Sequence, residues 1–117
     1  MTSSPPTEPQ PLDLEISRSD ERTLVALTGE LDAATASYLY AALAKLEVED
    51  AHHVVLDLAK LTFMDSTGLS MVVTEHTRLK RSGGTLTIFS PSSAVRRLFE
   101  ITGLANELDI VPVSEEA

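Results

Sequence analysis

The sequence has 117 residues, of which 43% are hydrophobic and 23% charged; this suits one globular domain and is too short for two. Nine Lys and Arg against 18 Asp and Glu give a net charge of -9, which disfavours nonspecific binding to nucleic acid or anionic membranes. The absence of cysteine excludes disulfides, thiolate nucleophiles and cysteine metal sites. With no signal-like N-terminus and no apolar run of about 20 residues, we expect a cytoplasmic protein.

The N-terminal segment differs in composition from the rest of the chain. Residues 1–11 hold four of the six prolines and show no amphipathic period, so we predict a disordered tail. Residues 12–117 are predicted to form the folded domain. Since this domain has three Phe, two Tyr and no Trp, its core is expected to be mainly aliphatic.

The domain is predicted to begin with a β-hairpin. Apolar and polar residues alternate from Leu12 to Ile16, which is typical of a strand with one buried face. A polar turn at 18–21 follows, and the β-branched and apolar residues 23–28 predict a second strand that ends at Gly29.

Helices and strands are then predicted to alternate. Apolar residues at steps of three and four over 36–46 indicate an amphipathic helix, which Asp32 is placed to cap. The short apolar run 54–58 (VVLDL) predicts a buried strand. A second helix is expected to begin near Ser66 and to end before the glycines that precede the next strand, residues 85–89.

The last part of the chain predicts one more helix and an edge strand. Ser92 or Ser93 is expected to cap the helix, Gly103 to end it, and residues 108–111 to form the strand. This order predicts an α/β fold, in which a mixed, mainly parallel sheet of four to five strands is covered by helices.

Motifs of the common enzyme classes are missing from the sequence. It contains no GxGxxG, phosphate-binding P-loop, HExxH or GxSxG pattern. The adjacent His52 and His53 have no third ligand at helical spacing and are expected in a solvated loop, so no zinc site is predicted. His76 is expected at the boundary of an apolar helix face. Asp57 is expected to have a hydrogen-bond partner at a helix interface or sheet end, without a catalytic role.

The segment 61–69 (LTFMDSTGL) is predicted as an apolar connection that leads into a helix N-terminus. Ser66 is expected to be the N-cap, accepting a hydrogen bond from the amide of Gly68 or Leu69. Asp65 would complement the helix dipole, and Gly68 would let neighbouring backbone approach. On the residues alone, these structural roles are the favoured interpretation.

Two functional hypotheses for Ser66 remain beside the structural one. A helix N-terminus presents free amides and a partial positive charge, so a phosphate on Ser66 is compatible with the fold. A hydrolytic nucleophile is the competing hypothesis, but His76 lies several helical turns away and no other base is identified.

Several motifs together resemble the bacterial anti-sigma factor antagonists of the STAS class, named after the sulphate transporter and anti-sigma antagonist domain. The resemblance covers about residues 12–111 in the expected order. It is carried by residues 29–36 (GELDAATA), 54–58 (VVLDL), 63–69 (FMDSTGL), 90–91 with 95–99 (SP, VRRLF), and 102–104 (TGL).

This resemblance implies a STAS-type fold and a regulatory protein that is not an enzyme. The unmodified protein would bind an anti-sigma factor and so release the sigma factor. The anti-sigma factor is often a serine kinase that phosphorylates the antagonist, here at Ser66, and a serine phosphatase reverses the step. ATP and magnesium would belong to the kinase, so no cofactor or metal of this chain is implied.

The resemblance also implies roles for individual residues. Ser66 would be the phosphoacceptor, Asp65 its acidic neighbour, and Asp32 part of the partner-binding region, with Glu30, Thr67 and Gly68 as weaker candidates for the same region. The free protein is expected to be a monomer or weak dimer. Because the sequence stops at residues 114–117, where members of the family usually enter a final helix, we expect that this helix is missing or that the chain is shortened.

Two other functions stay open. A scaffold or sensor module of the same fold could bind a transporter, a larger signalling complex or a small ligand without a phosphoswitch. An ordinary serine after an aspartate favours the switch. A small hydrolase using Ser66 would react with serine-directed covalent inhibitors.

Overall fold

The computed structural model describes residues 11–89 and 91–111. The predicted tail therefore lies outside the described residues except for Pro11, and so does the expectation about a final helix. The elements are β1 (Leu12–Arg18), β2 (Thr23–Leu31), α1 (Ala36–Val48), β3 (His53–Met64), α2 (Ser66–Arg81), β4 (Thr85–Phe89), α3 (Ser93–Thr102), a short 3-10 turn (Leu104–Asn106) and β5 (Asp109–Val111).

The five strands form one sheet in the order β1-β2-β3-β4-β5. β1 pairs antiparallel with β2, whereas each later pair is parallel. Each helix connects two neighbouring parallel strands, and the three connections advance across the sheet in the same direction. Because such connections are right-handed, all three helices lie on one face of the sheet. The predicted α/β class, the mainly parallel sheet and the N-terminal hairpin are confirmed.

The core lies between the helices and the covered face of the sheet. Val25, Leu56 and Ile88 are neighbours in the strand register and are fully buried. Leu39 and Phe99 reach the same core from α1 and α3. Among the described residues Phe99 is the one buried aromatic side chain, which agrees with the predicted aliphatic core.

The two strands that lead to the candidate site are longer than predicted. β2 continues through Gly29 to Leu31, because Gly29 adopts a φ of 113° at a register irregularity that lets pairing with β3 resume. An added Cβ there would lie 2.2 Å from the carbonyl oxygen of Pro11. β3 likewise extends to Met64, so most of the predicted connection between strand and helix is strand.

The predicted ends of the third helix are confirmed. Ser92 is the N-cap of α3, and its hydroxyl accepts a hydrogen bond from the amide of Val95. Gly103 ends the helix in the left-handed conformation. No helix in the described part of the chain is long and apolar enough to cross a bilayer.

Candidate functional site

The candidate site lies at the carboxyl edge of the sheet, where β2 and β3 end side by side. Leu31 and Met64 are register partners, so the residues that follow them, Asp32 and Asp65, leave the sheet together. The amide of Asp65 donates to the carbonyl oxygen of Leu31 at 3.2 Å. The pairing of the two strands thus brings together two aspartates that are far apart in the sequence.

Asp65, not Ser66, is the N-cap of α2. Its backbone is extended (φ -103°, ψ -173°), and its Oδ1 accepts a hydrogen bond from the amide of Gly68 at 3.0 Å. Its Oδ2 accepts from the amide of Ala33 at 3.3 Å. The prediction of Ser66 as the cap was wrong by one residue, because β3 runs to Met64 and leaves Asp65 at the extended position that a cap occupies.

Ser66 is therefore the first residue of α2, and its side chain is exposed. Its hydroxyl makes no hydrogen bond to any other residue that the structure describes. Thr67, the next residue, is exposed as well. A hydroxyl at the first helical position is accessible to a partner and lies beside the amide end of the helix dipole.

Asp32 closes the turn between β2 and α1. Its Oδ1 accepts hydrogen bonds from the amides of Ala34 at 3.0 Å and Thr35 at 3.1 Å. The prediction that Asp32 caps α1 was wrong. The N-cap residue is Thr35, whose side chain makes no capping hydrogen bond. The carboxylate holds the turn before the helix, since three residues separate Asp32 from the first helical residue.

Thr35 was not singled out by the sequence analysis, yet it fixes this turn. Its side chain is only 2% exposed, and its hydroxyl donates to the carbonyl oxygen of Glu30 at 2.8 Å. The same hydroxyl oxygen accepts from the amide of Asp32 at 3.0 Å. The Asp-x-x-Thr spacing, typical of side chains that bond to a local turn, was the available signal.

Gly68 is buried where α2 crosses the end of β2. A Cβ at this position would lie 2.7 Å from the carbonyl oxygen of Leu31 and 2.9 Å from its Cγ. The expected close approach of neighbouring backbone is confirmed. Glu30 is exposed at the same edge, where it pairs in register with Phe63.

The other candidates lie away from this edge. His53 Nδ1 is 2.9 Å from Thr85 Oγ1, and His52 is exposed beside it. His76, half-buried on α2, has its Nε2 3.9 Å from an Asp109 carboxylate oxygen. Within residues 11–89 and 91–111, no three potential ligands come together as a metal site.

Asp57 has the expected hydrogen-bond partner, since its Oδ1 accepts from the amide of Ala59 at 3.0 Å. Its expected location at a helix interface or sheet end was wrong. The residue lies within β3, in register with Ala26 of β2 and on the sheet face opposite the helices. Alternation of side chains along a strand places it there, one position after the buried Leu56.

The geometry of the site suits group transfer to Ser66 better than catalysis by Ser66. Both oxygens of the adjacent Asp65 carboxylate already accept backbone hydrogen bonds. His76 is ten residues further along α2, about 15 Å along the helix axis. In the described part of the chain, Ser66 therefore has no base placed to remove its proton.

Comparison with known proteins places the chain in a family. A family model for the STAS domain matches residues 13–117. The chain is 34% identical over 106 residues to the anti-sigma-B factor antagonist of Listeria monocytogenes, covering 90% of this chain and 93% of that protein.

Solved structures share the fold. An anti-sigma factor antagonist from Mycobacterium paratuberculosis superposes with a TM-score of 0.78 at 23% identity, covering 95% of this chain and 92% of the other. The phosphorylated form of the Bacillus cell fate determinant SpoIIAA superposes with a TM-score of 0.68 at 23% identity, covering 88% and 95%. The chain therefore belongs to the STAS domain family and groups with the proteins named anti-sigma factor antagonists.

Proposed function

We propose that this chain is an anti-sigma factor antagonist whose activity is switched at Ser66. The unmodified form binds an anti-sigma factor, and the sigma factor is then free to act. The observation that carries the proposal is the exposed Ser66 hydroxyl at the first position of α2, held in place by the Asp65 cap. Similarity to the Listeria antagonist over 90% of the chain supports the same function.

Phosphorylation of Ser66 is the proposed off switch. The Ser66 Oγ attacks the γ-phosphorus of ATP, the bond to the β-phosphate oxygen breaks, and ADP and the hydroxyl proton leave. ATP and magnesium belong to the anti-sigma kinase, and a serine phosphatase restores the hydroxyl by hydrolysis. This chain is the substrate in both reactions and contributes no catalytic group.

The phosphoryl group is compatible with the folded chain. It adds about -1.5 to -2 charges at the N-terminus of α2, where the helix dipole favours negative charge. The net charge changes from -9 to about -11. The modification therefore alters the docking surface without breaking the hydrogen bonds of Asp65.

The phosphate is proposed to weaken binding of the anti-sigma factor through contacts at and around Ser66. Shifting a complex from 99:1 to 1:99 needs about 5.5 kcal/mol of differential affinity. Repulsion from acidic or phosphate groups of the partner supplies part of this, and steric clash at Ser66 with lost hydrogen bonds supplies the rest. Asp32, Glu30 and Thr67 surround the same edge and are proposed to contact the partner, while the buried Gly68 shapes the surface from below.

Phosphosite mapping tests the proposal. The chain is incubated with ATP, magnesium and a candidate anti-sigma kinase encoded in the same genome, and the modified position is identified by mass spectrometry. We expect one phosphate, on Ser66, and none on the Ser66→Ala variant. Ser70→Ala is the matched control, because Ser70 is an exposed serine on the same helix.

Two results would contradict the proposal. Phosphate on Thr67 or Ser70 with Ser66 unmodified would move the switch elsewhere. Binding of the anti-sigma factor without modification by any candidate kinase would support the scaffold function instead.

A further inference from the structure

We propose that a cleft beside the Ser66 site binds an acidic, amphipathic segment of the anti-sigma partner. This inference rests on the function proposed above. The cleft, called here the α3 cleft, has a volume of about 240 Å³ and lies between the end of β3 and α3. Its lining includes Thr62, Phe63, Arg97, Leu98 and Ile101.

The α3 cleft adjoins a larger surface depression of about 520 Å³. The two share Arg97 and Ile101, and the second adds Arg96 and Glu100. Because Arg97 and Ile101 line both, the two depressions adjoin each other along α3, and together they are called here the groove.

Part of the groove is apolar and open. Phe63 is 47% exposed and Ile101 is 73% exposed, and both belong to the few large hydrophobic residues at the surface. They line the same cleft, with the half-buried Leu98 in the same wall. Large apolar residues that are clustered, rather than scattered singly, mark surfaces that bind a partner. The occupant is therefore expected to present apolar side chains.

The groove is also cationic in an otherwise acidic protein. Arg96 and Arg97 are both exposed, and within residues 11–89 and 91–111 neither forms an ion pair, whereas Arg18 and Arg78 pair with glutamates. Of the described residues in the same lining, Glu100 is the one carboxylate, and its charge offsets one of the two positive charges.

Two adjacent guanidinium groups fit carboxylates of a partner. Nucleic acid is the weaker fit, because the net charge of -9 repels a polyanion and the groove is partly apolar.

The α3 cleft lies near the Ser66 site, because Phe63 and Met64 of its lining come directly before Asp65 in the chain. Phe63 is the register partner of Glu30 and lies two residues before Asp65. The surface thus passes from acidic residues around Ser66, across Phe63, to the two arginines. A partner bound at Ser66 can reach the cleft, and a phosphate on Ser66 changes only the acidic end of this surface.

Peptide selection tests the cleft without any assumption about the anti-sigma factor. A display library of random short peptides is selected on the immobilised full-length chain. Peptides that bind are then measured against Arg97→Glu and Ile101→Ser, with Arg81→Glu and Val48→Ser as matched controls on other exposed surfaces. We expect sequences rich in Asp, Glu and apolar residues, with affinity about tenfold lower for the two cleft variants and unchanged for the controls.

The same variants are then measured against the candidate anti-sigma kinase. We expect Arg97→Glu and Ile101→Ser to raise the KM for phosphorylation of Ser66 about tenfold with kcat unchanged, and Arg97→Lys to retain most of the affinity. Unchanged thermal unfolding midpoints confirm that the variants are folded.

Each outcome decides a different claim. Selected peptides without acidic enrichment, or equal binding to the cleft variants and controls, would overturn the cleft proposal. Wild-type KM values for the cleft variants would show that the kinase does not use the cleft. If the unaltered chain is not phosphorylated at all, the proposed function fails, while the peptide selection still decides whether the cleft binds acidic segments.

Discussion

The amide of Ala33 donates a hydrogen bond to Oδ2 of Asp65 at 3.3 Å, although the two residues are 32 positions apart. Oδ1 of the same carboxylate accepts from the amide of Gly68. One side chain therefore fixes both the turn after β2 and the first turn of α2. The turn that contains Asp32 and the helix that begins at Ser66 are held in one arrangement, which is the geometric basis of the proposed switch.

Removing this carboxylate should weaken both elements. We expect Asp65→Ala to lower the free energy of unfolding by about 1–2 kcal/mol, as loss of an N-cap generally does. Urea denaturation measures the change, and Asp13→Ala on the exposed side of β1 is the control. An Asp65→Ala variant as stable as the wild type would contradict the capping role.

A methyl group at Gly68 should also destabilise the fold. Its Cβ would lie 2.7 Å from a backbone oxygen of Leu31, so strand and helix would have to separate. We expect Gly68→Ala to cost about 1–3 kcal/mol, the range of overpacked sites. The control is Ser70→Ala, an exposed position of the same helix where alanine is expected to be neutral or stabilising.

A negative charge should stabilise the fold when it is added at the N-terminus of α2 and destabilise the fold when it is added at the C-terminus. Ser66→Glu places a carboxylate at the helix N-terminus and is expected to stabilise by about 0.3–1 kcal/mol. Ser82→Glu places the same charge at the C-cap and is expected to destabilise. Equal shifts in the unfolding midpoint for the two variants would argue against a phosphate being accommodated by the helix dipole.

Arg78 joins the two helices that begin at the site. It hydrogen-bonds the carboxylates of Glu75, which is 2% exposed, and Glu47 on α1. We expect Arg78→Leu to cost about 2 kcal/mol, less than the 3–5 kcal/mol of fully buried pairs because Arg78 is one-third exposed. Replacing both Glu75 and Arg78 by leucine should recover much of this loss, as a double-mutant cycle in urea would measure.

The direction in which the pKa of Arg78 is shifted determines how pH affects the stability that this ion pair contributes. The hydrogen bond that Arg78 donates to the Glu75 carboxylate raises the pKa of Arg78 above its ordinary value. A group whose pKa is raised by folding contributes its full stabilisation at any pH below its pKa in the unfolded state. This stabilisation is lost only as the pH rises through the pKa of the folded state. The guanidinium therefore stays charged in both states between about pH 6 and 9, and its contribution should be constant there. A contribution that falls across this range would contradict the assignment.

Much of the fold follows from local sequence patterns. The alternation at β1, the helical period of α1 and the Ser92 and Gly103 ends of α3 each depend on neighbouring residues, and each was predicted. The strand at residues 85–89 was likewise predicted from its own sequence.

The missed features depend on contacts between distant residues. The extension of β3 to Met64 requires pairing with β2 beyond an irregularity at Gly29, which no local pattern reveals. That extension moved the cap from Ser66 to Asp65. The bond between Ala33 and Asp65 arises only once the two strands lie side by side.

The measurement that tests the central claim most directly is the affinity of the anti-sigma factor for the chain before and after phosphorylation of Ser66. Isothermal titration uses the unmodified chain, the Ser66-phosphorylated chain and the Ser70→Ala control. We expect the unmodified chain and the control to bind equally, and the phosphorylated chain to bind about ten-thousandfold more weakly, which corresponds to the roughly 5.5 kcal/mol that the switch needs. Equal affinity of the phosphorylated and unmodified chains would contradict a switch at Ser66.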